Sequence, residues 1–102
     1  MAMRVTFDPN EAMAVANRLG LDFATEPFSL EEFRRGMDIE LEHGRRDAAT
    51  NVTGDDALTT GKIALAHLRE IPDYYTRLAR MEAEAEAEAE AGAAAAKAHD
   101  PA

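Results

Sequence analysis

The sequence predicts an all-α protein: a small bundle of about four helices with a Glu-Ala C-terminal extension, helical or disordered. Three observations carry that class. Apolar residues recur at three- and four-residue intervals in four separate stretches. Each stretch opens behind an Asp or Ser, and the first three close on Gly or Pro. The last stretch runs into MEAEAEAEAEAGAAAAKA, built from strong helix formers that are poor in strands.

The first helix is expected over 8–19. Asp8 can cap it, Pro9 suits the first helical position, and Glu11 suits the positive end. Ala12, Met13, Ala16 and Leu19 give it an apolar face, and Gly20 stops it. Met1 to Phe7 reads either as a frayed extension or as one short strand.

The second helix is expected over 29–45. Ser29 and Glu32 match a capping box, and Phe28 stands where a hydrophobic staple begins. Leu30, Phe33, Met37 and Leu41 form its stripe. Gly44 ends the pattern, and Arg45 and Arg46 suit a C-terminus.

Residues 47–54, DAATNVTG, are rich in turn formers. The third helix is expected over 55–71, with its start between Thr53 and Asp56, a stripe of Leu58, Leu65 and Leu68, and a stop at Pro72. The fourth starts at 73, covers 73–81 and continues onward. Asp73 is its cap and Tyr74, Leu78 and Met81 its core stripe, with Tyr75 beside them. Residues 1–81 then form the helical domain and 82–102 a low-complexity acidic tail. Strict alternation spreads the tail's glutamates around a helix, so it reads as a solvated extension that frays near Gly92.

The chain of 102 residues suits one domain. Its hydrophobic content of 46% is inflated by tail alanines and its aromatic content is 6%, so the core is thin. Packing against a copy or a partner would add buried surface.

The net charge of -9 divides into -5 for residues 82–102 and -4 for the rest. Lys and Arg lie in scattered pairs, with no basic stripe. Nucleic acid and anionic membranes are therefore not expected partners. No cysteine is present, which removes disulfides, thiolate metal sites and cysteine catalysis. Neither a signal peptide nor a membrane span is apparent, and the expected compartment is the cytoplasm. The Asn51-Val52-Thr53 sequon then reads as accidental.

Glu40-Leu-Glu-His43 and His67-Leu-Arg-Glu70 are mirrored helical pairs. Residues three apart share a helical face, and such pairs hold two metal ions in ferritin-like carboxylate proteins. Glu40, His43, His67 and Glu70 are the candidate metal ligands, for iron, manganese or zinc. Too few for a two-metal site alone, they require a dimer. In an antiparallel hairpin, His43 and His67 would be offset by roughly 10–14 Å. The blander reading makes His43 a residue favoured by the helix dipole and His67 a partly buried, hydrogen-bonded histidine.

The string from Gly54 to Lys62 resembles a phosphate-binding loop, but it has Asp56 where Gly is required and Ile63 where Ser or Thr is required. The oxygens of Asp47, Asn51, Thr53, Asp55 and Asp56 lack the spacing of a calcium loop, and turns and caps account for them. The single serine, Ser29, is a cap, and no nucleophile–base pair is visible. The reading leans away from an enzyme and assigns no catalytic residue. Tyr74, Tyr75, Leu78 and Met81 are the candidate interaction residues, with one tyrosine entering the core and the other at the rim.

From Ser29 to Glu82, the strings LEEFRRGMDIELEHG, TNVTGDDALTTGKIALAHLREIPDYY and RLARME resemble an uncharacterised small domain family of bacterial, bacteriophage and giant-virus proteins. The resemblance implies a stand-alone domain or appended module, phage-encoded, placed in the host cytoplasm or on the virion. It supplies no catalytic residues.

The leading expectation is a non-enzymatic helical interaction or oligomerisation module, paired with itself or with another protein and needing no cofactor. The alternative is a carboxylate-histidine metal-binding dimer. A third reading is an acidic inhibitor or mimic that occupies a basic partner surface.

Overall fold

The computed structural model describes residues 6–52, 54 and 56–98, with side chains described as far as residue 93. Four helices form: α1 (Pro9–Arg18), α2 (Leu30–Arg46), α3 (Ala57–Glu70) and α4 (Tyr74–Ala98). No strand occurs among the described residues.

The caps explain the starts. Asp8 accepts from the Glu11 N–H while the Glu11 side chain accepts from the Asp8 N–H, so the reciprocal box belongs to α1. Ser29 accepts from the Glu32 N–H at 3.1 Å. Asp56 is the cap of α3, accepting from both the N–H and the hydroxyl of Thr59. Gly20, at φ +72°, supplies the left-handed turn after α1. Gly44 does not end α2. It is buried inside the helix, which runs on to Arg46. The expected loop after α2 carries a 3-10 turn at Ala48–Thr50, fixed by the Asp47 carboxylate on the Ala49 N–H.

The Asp56 carboxyl is held below its ordinary value of 3.8, first by the Thr59 hydroxyl and then by the Thr59 N–H. A lowered carboxyl adds stability above its unfolded value and loses it as the pH falls through the folded value. Asp56→Asn retains a capping oxygen without that titration. Its urea midpoint should therefore drop less than the wild type's as pH falls below 3.8. The carboxylate is solvent-exposed, so the difference is small.

The core lies along the seam of α2 with α3, closed on one side by α1. Phe33, Met37 and Leu68 are fully buried there, with Ala12, Ala16 and Ala64 letting the helices approach. Phe23, Phe28 and Phe33 form an aromatic cluster with centroids 6.1–6.5 Å apart. A Cβ on Gly61 would stand 2.5 Å from Val15 Cγ1, so this glycine serves the close contact of α1 with α3.

Residues 1–5, most of the segment left open between extension and strand, lie outside the described residues. Phe7 is clasped to α2. Its N–H donates to Asp38 Oδ1 at 2.6 Å, and Arg34 Nη1 donates to Phe7 O and Asp38 Oδ2. Burial raises the Asp38 carboxyl, against the opposing pull of these two donors.

α4 departs from expectation in two ways. Its buried residue is Tyr75, fully covered, whereas Met81 is 57% exposed. Gly36 on α2 causes this, because its missing side chain leaves room for the Tyr75 ring. The helix also passes through Gly92 without a break and ends at Ala98. The molecule is 61 Å along its longest axis.

Candidate functional site

Three helices each bring one polar side chain to a common point. Glu40 comes from the middle of α2, His67 from the last turn of α3 and Tyr75 from the first turn of α4. The Tyr75 hydroxyl donates to Glu40 Oε2 at 2.7 Å. His67 Nδ1 lies 3.0 Å from the same oxygen and 3.1 Å from the Tyr75 oxygen.

The proton inventory follows. The carboxylate oxygen accepts from the phenol, so Nδ1 must donate to complete the contact. In the neutral tautomer that donates from Nδ1, the lone pair lies on Nε2. Among the described residues, no hydrogen bond is made to Nε2. The His67 side chain is 34% exposed and Glu40 only 11%. Burial, then the Glu40 carboxylate, push the Tyr75 phenol far above its usual range, which keeps it a donor.

Aromatic contacts fix the imidazole plane. Tyr74 stacks on His67 with centroids 4.3 Å apart and planes 14° from parallel. Tyr75 meets Tyr74 edge-on at 4.9 Å. A histidine held at Nδ1 by a carboxylate presents Nε2 in a set direction, able to accept a proton, bond a docked group or bind a metal.

The sequence-derived metal set is split. Glu40 and His67 meet. His43, one turn further along α2, lies 3.9 Å from Glu82 of α4. Glu70 is exposed at the end of α3. Among the described residues, no three His, Asp or Glu side chains gather as a metal site. Each i,i+3 pair puts one member on the buried seam and the other outside it. Tyr75, absent from that set, completes the cluster. Its signal in the sequence is Gly36, a glycine inside a strong helical pattern, on the stripe of Phe33, Met37 and Glu40.

The interaction set is also divided. Tyr75 is buried and belongs to the core, whereas Tyr74 and Leu78 are half-buried and Met81 exposed. Together with Ile71 and Arg77 they line an open groove of about 260 Å³ at the junction of α3 and α4. Tyr74 separates this groove from His67, touching both. No described helix is long and apolar enough to cross a membrane.

Tyr75→Phe tests the cluster without emptying the core. The carboxylate loses its phenol donor, and a poorly satisfied buried acceptor costs about 1–3 kcal/mol. Urea unfolding should show that loss with an unchanged slope.

No curated protein and no solved structure matches the chain. A family model does match, over residues 12–84, from the first helix through the Tyr75 anchor and into the charged extension. The chain belongs to the family described as "Protein of unknown function (DUF5661)".

Proposed function

We propose that this chain is a non-enzymatic helical interaction module whose binding face is the groove of Ile71, Tyr74, Arg77, Leu78 and Met81. One observation carries the reading. The groove is an apolar surface on a protein with a thin core, and Ile71 and Met81 remain 37% and 57% exposed. Contiguous exposed apolar surface rimmed by charge marks interaction sites. The Glu40–His67–Tyr75 lock fixes the start of α4, and so presents the groove as a rigid surface. The proposed setting is the cytoplasm, or a virion if the chain is phage-encoded.

A photo-crosslinking residue at position 81, in the intact chain in cells, tests the reading. A discrete protein adduct at 81, missing from a control at Glu90, is the expected result. No adduct under any condition overturns it.

A second reading has one supporting observation, the unbonded Nε2 of His67 behind a Glu40-held Nδ1. A metal-binding dimer would draw its remaining ligands for iron, manganese or zinc from a second copy. Elemental mass spectrometry on untagged protein tests it. Stoichiometric metal, lost in His67→Ala, supports it, and its absence from a folded dimer removes it.

A further inference from the structure

We infer that the groove is occupied by α4 of a second copy of this chain, running antiparallel. This rests on the interaction-module reading and names its partner.

The first support is the shape of the α4 stripe. Tyr74, Leu78, Met81 and Ala85 follow one another at spacings of four, three and four, the interval that keeps a seam facing a partner helix. At about 100° per residue, the tail glutamates do not close around the helix. Glu82, Glu86 and Glu90 fall in one band and Glu84 and Glu88 in another, which leaves Ala85 in line with Tyr74, Leu78 and Met81 before Glu88 takes the next seam position. The stripe runs from two large residues and Met81 to the small Ala85. Antiparallel pairing sets Tyr74 against the partner's Ala85 and Leu78 against the partner's Met81. Bulk then meets gap at both ends.

The second support is charge. The first two turns of α4 carry Arg77 and Arg80, and the stretch that follows carries Glu82, Glu84, Glu86, Glu88 and Glu90. Antiparallel helices set each basic start beside an acidic stretch, in a register that places Arg77 across from the partner's Glu84, twice by symmetry. Arg77 Nε is bonded to Asp73 Oδ1 at 2.7 Å, which leaves both terminal nitrogens for the pair. Parallel pairing would instead stack Glu88 on its own copy at the seam. The opposed charges therefore select the antiparallel orientation.

The test is charge reversal in the full chain, read by sedimentation equilibrium in the analytical ultracentrifuge. The wild type should form dimers between roughly micromolar and millimolar concentration. Arg77→Glu and Glu84→Arg should each weaken the dimer about tenfold, since each turns two attractions into repulsions. The double variant should restore it. Both positions are exposed, and far-UV circular dichroism checks that each variant is folded. A strict monomer overturns the inference. So does a dimer indifferent to both reversals, or one the double variant fails to restore. An adduct at position 81 of twice the chain mass supports both readings. An adduct with a different protein upholds the module and overturns self-pairing.

Discussion

Tyr75→Ala should lower the unfolding free energy by about 3–5 kcal/mol, the usual cost of deleting a buried aromatic side chain. The ring is fully buried at the junction of α4 with α2. Its loss leaves a cavity over Gly36 and removes the phenol from Glu40 and His67. A domain of this size has about 5–15 kcal/mol in total. The variant should therefore melt at much lower temperature, and α4 should lose its seat before α2 and α3 separate. Hydrogen exchange read helix by helix measures this. Equal protection loss in all four helices would show that Tyr75 supports the whole bundle and not α4 alone.

Gly36→Ala is expected to cost about 1–3 kcal/mol, although Ala is the better helix former. The added Cβ would stand 2.9 Å from Tyr75 Cδ2 and closer still to Cε2. A buried ring held at its hydroxyl by Glu40 cannot retreat as a flexible chain would. In a Tyr75→Ala background the obstacle is gone. The same substitution should then gain about 0.5–1 kcal/mol from helix propensity and partial refilling of the cavity. Chemical denaturation of the two singles and the double completes the cycle. An additive result would show that the two residues do not meet.

These two residues also mark how far the sequence could be read. Helix starts at Asp8, Ser29 and Asp56 are local facts, set by a side-chain oxygen and an N–H three residues on, and they are visible as letters. So is the stripe of Phe33, Met37 and Leu41. Which tyrosine enters the core is not local. Tyr74 and Tyr75 have the same composition and adjacent positions, and the choice falls to a missing Cβ thirty-nine residues earlier, at Gly36. The cluster has the same character. In the sequence Glu40 pairs with His43, yet its partners come from α3 and α4. A three-residue motif reports what shares a helical face, not which neighbour that face meets. The alternating tail is helical and exposed as its residue types predict, and it differs only at Gly92, which the helix passes without a break.

Beyond Glu82, α4 is a lever. From Glu82 to Ala98 it spans about 25 Å at the usual rise, and its described side chains there are almost all exposed. Its fulcrum is the seat around Tyr75, the fully buried residue of its first turn. From Tyr75 to Ala98 the arm is about 35 Å, so a tilt of about 10° at that seat moves the far end by about 6 Å. Small rearrangements of the Glu40–His67–Tyr75 lock are thereby converted into displacements as long as a side chain, delivered at a distance from the bundle. The same leverage works in reverse, and a load on the far end reaches α2 through the His43–Glu82 contact, the Arg35–Thr76 hydrogen bond and the Tyr75 seat.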